Sequence, residues 1–277
     1  MKSVFQPSES ICGGSIKQFI ENAHKTREPL REFESITRLN ILNTTLSAED
    51  YQMIKCIKHI KLTNVVITED IYILSTGQVE SVMIVACLTC KEFNFKGLLI
   101  PKLVIIDPSC DLELDNIPVH TLTIGSKWMV NRSLTLSPVT QILKMYFPAA
   151  ELIAPSLHTY YVKTTGDLTD VPASVEHLGW IRKSSESKSL YLPNVKCLIT
   201  NTLTADDVDF FPNIEEITYN AETVPDFILT FKKLQKQTLR TRFDPRSREF
   251  RNTSISCPIK TDIRFCETVI PPGFFDL

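Results

Sequence analysis

The segment Ile57-Lys58-His59-Ile60-Lys61-Leu62 carries the pattern that decides the fold. An apolar residue is followed by two variable residues, a second apolar residue, one variable residue and a third apolar residue. The arrangement recurs along most of the chain at intervals of about 20 residues, and such a period indicates a repeat architecture. The copies begin at Ile36, Ile57, Val79, Ile100, Val119, Leu157, Val175, Val195, Ile214 and Leu234.

One interval, from Val119 to Leu157, is about twice as long as the others. It accommodates a hidden copy that begins at Val139 or Ile142, so about eleven units fill residues 34–240. The sequence leaves open whether residues 139–156 form this degenerate repeat or an inserted segment. Because a single unit cannot bury its own apolar face, the repeat predicts short strands stacked in parallel, each unit covering the next.

The segments between the predicted strands carry two kinds of signal. Ser47-x-x-Asp50 and Thr204-x-x-Asp207 are typical of helix N-caps with an acid in the first turn, which predicts short helical return legs. Prolines cannot donate to a β-ladder, so those just before a predicted strand mark where a leg ends and the strand begins. These prolines are Pro101, Pro118, Pro138, Pro172, Pro193 and Pro212.

The pattern resembles the leucine-rich repeat family over most of the chain. The segments Ile117–Gly125 and Val171–Gly179 are most similar to its irregular subfamilies with a proline-led strand, the BspA-like and FNIP-type repeats. The resemblance implies an α/β solenoid, a leucine-rich-repeat horseshoe with parallel β-strands on the concave face and irregular or short helical return legs. The family's asparagine after the third apolar position is mostly missing, and Cys87 alone fills its place with an accepted residue. We therefore expect an uneven horseshoe.

The two ends of the chain depart from the repeat. In residues 1–33, Ile16, Phe19, Ile20 and Ala23 share one helical face, which predicts an N-terminal helical cap. Residues 241–277 lose the period but end in an apolar stretch, which predicts a C-terminal cap or tail that folds back over the last unit.

Composition excludes several classes of function. Thirty basic and 32 acidic residues give a formal charge of −2, which disfavours a nucleic-acid partner. No apolar run approaches the length needed to cross a bilayer, and no leader sequence is visible, so we expect no membrane partner. Eight sparse cysteines without an export signal predict reduced thiols in the cytoplasm. The Cys87–Cys90 pair has no second ligand pair, so we expect no metal and no cofactor, and Cys87 is predicted to be a core residue.

No catalytic motif stands out. The five histidines are dispersed, and the sequence contains no phosphate loop, zinc-protease motif or nucleophile elbow. We therefore expect a protein that is not an enzyme.

The variable positions between the apolar ones point outward, and on neighbouring copies they bring apolar side chains together beside basic ones. Such a patch is typical of a protein-binding surface. An alternative is that return legs or the C-terminal segment cover this face, leaving the strands buried on both sides. The predicted partner-binding residues are His59, Lys61, Met83, Val85, Lys102, Val104, Ile106 and Tyr161.

These features predict a non-catalytic protein–protein interaction module, an adaptor, scaffold or regulatory subunit that binds its partner through the concave sheet face. Two alternatives stay open. Many repeat horseshoes carry an F-box, which would make the chain a substrate receptor of a ubiquitin ligase. The segment before the first repeat, however, lacks the length and the Leu-Pro-rich opening of an F-box. The repeat type and the docking-like string Asp262–Phe265 would suit a phosphatase-regulatory subunit.

Overall fold

The structure is a computed structural model, and it describes residues 8–12, 37–89, 94–109, 112–125, 132–164, 168, 170–182, 191–220, 224–241 and 259–265. These residues form a mostly β structure in which the principal strands pair in parallel. The chain divides into two compact units. The first covers residues 1–128 and 134–140, and the second covers residues 129–133 and 141–277.

The first unit contains a sheet of six parallel strands in the order β1-β2-β3-β5-β7-β8, and β4 pairs separately with β6. A short helix, α1 (Ala48–Ile54), and a 3-10 segment (Glu69–Thr76) form return legs. The strands are β1 (Ser8–Cys12), β2 (Arg38–Leu42), β3 (His59–Thr63), β4 (Val66–Ile67), β5 (Ser81–Val85), β6 (Leu88–Thr89), β7 (Lys102–Ile106) and β8 (Thr121–Gly125).

The second unit repeats the plan with parallel strands in the order β10-β12-β13-β14-β15-β16-β17. Its legs include α2 (Asp207–Phe210) and a 3-10 segment (Asp226–Thr230). The remaining strands of the chain are β9 (Ser133–Thr135), β10 (Ile142–Met145), β11 (Glu151–Ile153), β12 (Thr159–Thr164), β13 (His177–Arg182), β14 (Cys197–Thr200), β15 (Glu216–Asn220), β16 (Lys236–Thr241) and β17 (Lys260–Phe265).

The strand register confirms the predicted parallel pairing of consecutive copies. The second apolar positions of the first unit lie side by side, as do the third ones, and all of them are buried. Burying one such aliphatic side chain contributes about 1.5–3 kcal/mol, so these two columns form the core of the unit. They are Leu39, Ile60, Val82, Leu103 and Leu122, and Ile41, Leu62, Ile84, Ile105 and Ile124.

The hidden copy is present, but it begins at neither predicted residue. Val139 is 52% exposed, and Ile142 is an outward residue of β10. The first position of the copy is Thr140, which is 1% exposed and whose hydroxyl donates to the Val119 carbonyl at 2.7 Å. That bond lets a hydroxyl occupy a core position at little cost, and it explains why a search for apolar residues missed the copy.

The parallel sheets extend past both ends of the predicted repeat. β1 pairs with β2 inside the segment predicted to be a helical cap, and β17 pairs with β16 beyond residue 240. Both strands break the apolar pattern, since Glu9 and Thr261 hold the second position in register. The predicted helix at residues 16–23 and the apolar C-terminal end lie outside the described residues.

Left-handed residues end the strands of the first unit. Asn and Asp tolerate this conformation better than most side chains do. Each residue donates its backbone N–H to the carbonyl of the last residue of the following strand, at 3.0 to 3.2 Å. These left-handed residues therefore end each five-residue strand at the same position in the register. They are Asn43 (φ 51°), Asn64 (φ 54°), Ala86 (φ 51°) and Asp107 (φ 40°).

Other side chains replace the missing asparagine ladder. Cys87 is buried, as predicted for a core residue, and its sulfur lies 3.4 Å from both the Val65 nitrogen and the Leu62 oxygen. In the second unit, Asn194 and Asn213 each donate their side-chain amide to a carbonyl of the preceding copy, at 2.8 and 2.7 Å. The copies are thus linked by two different kinds of side-chain hydrogen bond.

The two predicted helix caps differ in outcome. Ser47 and Asp50 form the expected reciprocal capping box at the start of α1. Thr204 is not the N-cap of α2, because that helix begins at Asp207 with Asp206 as its cap residue. Asp207 still accepts a hydrogen bond from the Thr204 nitrogen at 2.7 Å, but its other oxygen is bound elsewhere, as described below. Within the described residues, no helix has the length and apolar character needed to traverse a membrane.

Candidate binding face

The outward residues of β2, β3, β5, β7 and β8 form three rows that run across the strands of the first unit, and we call this surface the first-unit face. Side chains alternate between the two sides of a strand, so these rows lie opposite the buried columns. The start row is Arg38, His59, Ser81, Lys102 and Thr121; the middle row is Asn40, Lys61, Met83, Val104 and Thr123; the end row is Leu42, Thr63, Val85, Ile106 and Gly125.

The charges of the first-unit face are all positive or titratable to positive. The three rows contain Arg38, His59, Lys61 and Lys102 but no aspartate or glutamate. No carboxylate of the described residues forms a salt bridge with Arg38, Lys61 or Lys102. The salt bridge closest in sequence, Lys58–Glu80 at 2.7 Å, involves the residues just before β3 and β5. The positive charge of the face is therefore not neutralised within the rows.

His59 lies inside this basic group. Its Nδ1 is 2.9 Å from the Ser81 hydroxyl on the neighbouring strand. Partial burial lowers the pKa of His59, and the positive charges of Arg38, Lys58 and Lys102 lower it further, while Glu80 acts in the opposite direction. His59 is therefore mostly neutral at pH 7.

The predicted apolar patch is open only in part. Met83, Val85 and Ile106 are half-buried, so each retains some surface for a ligand. Val104, predicted to be exposed, is an outward residue of the middle row but is only 2% exposed. Its short side chain lies in register between Met83 and the buried Thr123, which leaves it little access to solvent. The apolar part of the face is thus a row at the strand ends with Met83 beside it.

Tyr161 belongs to a different unit from the other predicted partner-binding residues. It is an outward residue of β12 in the second unit, whereas the other seven belong to the first. The Lys144 ammonium lies 5.3 Å from its ring centroid, and burial raises the pKa of its hydroxyl. Tyr161 packs within its own unit and is not part of the first-unit face.

Opposite charges pair on and beside the corresponding surface of the second unit, which sequence reasoning missed. Glu176 and Lys196 lie just before β13 and β14, as Lys58 and Glu80 lie just before β3 and β5, whereas Glu216, Lys236, Asp262 and Arg264 are strand residues. Ion pairs join neighbouring copies in two places and residues of β17 in a third. The two pairs between copies could have been found in the sequence, because a glutamate and a lysine occupy equivalent positions of consecutive repeats. The pairs are Glu176–Lys196 (2.8 Å), Glu216–Lys236 (3.1 Å) and Asp262–Arg264 (2.9 Å).

Two histidines predicted to be dispersed lie together in the second unit. The ring centroids of His158 and His177 are 4.6 Å apart, and His158 Nε2 is 3.7 Å from the Glu176 carboxylate. Burial lowers the pKa of His177, and the neighbouring His158 lowers it further. In the part of the chain that the structure describes, no three His, Cys, Asp or Glu residues are arranged to hold a metal ion.

A buried ion pair links β13 to α2. The Arg182 guanidinium donates to Asp207 at 2.5 Å, and their side chains are 1% and 2% exposed. The guanidinium carbon also lies 4.0 Å from the Trp180 ring centroid. Because no ligand could reach either group, we assign this pair to the stability of the second unit and not to binding.

Neither a scan against protein-family models nor a search of curated proteins finds a match for this chain. The chemistry of its own surfaces therefore carries the functional interpretation. The first-unit face combines unneutralised cations with partly open aliphatic side chains, and its rows contain no carboxylate.

Proposed function

We propose that the chain is a non-catalytic protein–protein interaction module of the leucine-rich repeat type, an adaptor or regulatory subunit that binds a partner through the first-unit face. In this proposal the copies form a horseshoe-like solenoid with the strands on its concave side. The agreement between the 20-residue repeat and the strand register supports that architecture. The thiol of Cys197 forms no disulfide, which is compatible with a reducing compartment such as the cytoplasm.

The observation that carries the proposal is the chemistry of the first-unit face. Lys61 is exposed and Met83 is half-buried, and the two are partners in adjacent strands. Partly exposed aliphatic side chains bordered by charges are what protein interfaces use as anchor and rim. An enzyme site would need converging acid, base or nucleophile groups, and the rows offer only His59 with Ser81.

Rigidity favours binding as well. The rows are carried by hydrogen-bonded parallel strands, which hold neighbouring side chains about 4.8 Å apart. A surface that is already ordered loses little conformational entropy when a partner binds. The first-unit face therefore meets the physical requirements of a docking surface without a conformational change.

Affinity capture with a matched set of variants tests the proposal. Met83→Gln keeps the size of the side chain but makes its end polar. Met83→Ala shortens the side chain without adding a polar group. Lys232→Glu alters an exposed residue of the second unit and is the control. We expect specific proteins to be retained by the wild type and the control and lost by both Met83 variants, with circular dichroism showing that all of them fold.

The identity of the captured proteins decides between the alternatives. Components of a cullin ligase would favour the ubiquitin-ligase receptor, and phosphatase catalytic chains would favour the phosphatase-regulatory subunit. A captured set that is the same for the wild type and both Met83 variants would contradict binding through the first-unit face.

A further inference from the structure

The basic side chains of the first-unit face lie in its start and middle rows, and its aliphatic side chains lie in the middle and end rows. We propose, building on the proposed function, that the bound partner is an acidic protein segment with an aliphatic anchor. It lies across the strands, with its carboxylates on the basic side chains and its anchor on the end row.

Charge complementarity selects the acidic character. Arg38 and Lys61 are exposed, Lys102 is half-buried, and none has a carboxylate partner among the described residues. They occupy three of the five strands that form the face. Since like charges repel at these spacings, the free face gains when an anionic ligand neutralises them. A basic segment would meet only repulsion.

The end row selects the anchor. Leu42, Val85 and Ile106 are half-buried residues of this row, and Val85 and Ile106 are direct partners across adjacent strands. A polyanion without aliphatic groups would leave their remaining surface exposed to water. An aliphatic side chain placed over Val85 and Ile106 removes that surface from solvent, which adds affinity independent of salt.

The composition of the rows favours a protein segment over a nucleic acid. Single-stranded nucleic acids are held by aromatic side chains that stack on the bases. The outward positions of β2, β3, β5, β7 and β8 contain no Phe, Tyr or Trp. Aliphatic side chains at the strand ends offer nothing to a phosphate, so the acidic groups are better supplied by Asp and Glu.

His59 gives the proposal a second signature. The positive charges of Arg38, Lys58 and Lys102 act on the ring against the charge of Glu80, and the Ser81 hydroxyl lies 2.9 Å from Nδ1. A carboxylate bound to the start row would favour the protonated imidazole. Binding would then take up a proton, and affinity would rise as the pH falls from 7.5 to about 6.

Fluorescence anisotropy with the full chain and three labelled synthetic peptides tests the inference. One peptide is built from Glu and Leu, one from Glu and Ser, and one from Lys and Leu. We expect the Glu/Leu peptide to bind most tightly, the Glu/Ser peptide about tenfold more weakly and the Lys/Leu peptide not at all. Raising the salt concentration should weaken the Glu/Leu complex because exposed charges are screened.

Charge-reversal variants locate the binding site. Arg38→Glu and Lys61→Glu change exposed side chains, and each should weaken the Glu/Leu peptide about tenfold. The control Lys232→Glu should not change its affinity. Equal binding of the Lys/Leu peptide, an unchanged affinity in Lys61→Glu, or tighter binding of a single-stranded oligonucleotide would each overturn the inference.

The two proposals fail in different ways. If captured proteins are lost with Met83→Gln but kept with Lys61→Glu, the interaction face stands and the acidic segment is wrong. If they are kept with both variants, neither proposal survives.

Discussion

The sheet faces of the two units use one strand geometry but differ in charge, since among the described residues only the second face contains carboxylates that pair with its cations. In the first unit, Arg38, Lys61 and Lys102 have no carboxylate partner among the described residues. In the second, Lys236 pairs with Glu216 of the preceding copy, and Arg264 pairs with Asp262 within β17. Part of the charge of the second face is therefore neutralised within the unit, whereas the cations of the first-unit face have no carboxylate partner in its rows.

Backbone conformation differs between the two units as well. All the non-glycine residues with positive φ in the described part of the chain lie in the first unit. There the strands end in a common left-handed residue, while the second unit relies on turn side chains such as Asn194 and Asn213. The comparison shows that one repeat length accommodates two ways of joining neighbouring copies.

Four measurements test the differences between the two units, from the largest expected effect to the smallest.

The largest effect concerns the buried charge of the second unit. Asp207→Asn leaves the Arg182 guanidinium buried without its anionic partner, which should lower the free energy of unfolding by about 3–5 kcal/mol. Chemical denaturation measures the change. Asp209→Asn, on the exposed side of the same helix, is the control and should alter stability little. A loss below about 1 kcal/mol for Asp207→Asn would show that the pair is not structural.

The second measurement makes the same substitution in both units. Lys236→Glu places a carboxylate opposite Glu216 and should destabilise the chain by about 1 kcal/mol. Lys61→Glu places a carboxylate between Asn40 and Met83 in a face without acidic residues, and it should leave stability unchanged or slightly higher. Denaturation curves of the two variants check this contrast, and adding Glu216→Lys to Lys236→Glu should restore the loss. Equal destabilisation by Lys61→Glu would remove the distinction between the faces.

The third measurement concerns the left-handed residues. Alanine at φ 51° is strained by about 1–2 kcal/mol, and glycine relieves this strain but adds chain entropy to the unfolded state. Ala86→Gly should therefore raise stability by about 0.5 kcal/mol. Ala205→Gly, at an exposed position of the second unit, should give no gain. Thermal unfolding of the two variants provides the readout, and a loss of stability in Ala86→Gly would argue against strain at this site.

The smallest effect is the pH response of His59. Because folding lowers its pKa, the unfolded chain binds the proton first as the pH falls. The stabilisation due to neutral His59 is therefore complete above pH 6.5 and is lost as the pH drops towards the folded-state pKa. Unfolding free energies measured at pH 7.5 and 5.5 should differ less in His59→Gln than in the wild type. An identical pH dependence in the two proteins would exclude this contribution.

The core could be predicted from sequence because it depends on spacing alone. Leu39, Ile60 and Val82 recur at the repeat interval and are buried partners in register. Thr140 and Gln237 escaped the pattern, since a buried polar side chain is tolerated only when a hydrogen bond supplies its partner. The Thr140 hydroxyl binds the Val119 carbonyl, and Gln237 binds the Tyr219 hydroxyl at 3.0 Å.

The candidate site was less accessible to sequence reasoning. Alternation assigned Met83 and Val104 to the same row correctly. Their different exposure depends on the neighbours on each side, and Thr123 beside Val104 is itself buried. Pairing of charges across copies, as in Glu216–Lys236, needs the register as well as the period. Placement on a face follows from periodicity, while access to solvent follows from packing.

The strands of the first unit that end before Asn43, Asn64, Ala86 and Asp107 are only five residues long, and this length limits how a ligand can lie on the first-unit face. Along the strands the surface is only about 17 Å deep, but across them it advances in steps of about 4.8 Å. An extended peptide advances about 3.3 Å per residue, so three of its residues cover nearly the same distance as two strands. In the proposed binding mode, a peptide that lies across the strands would therefore have a three-residue periodicity, and changing the number of residues between its anchors would matter more than changing their order.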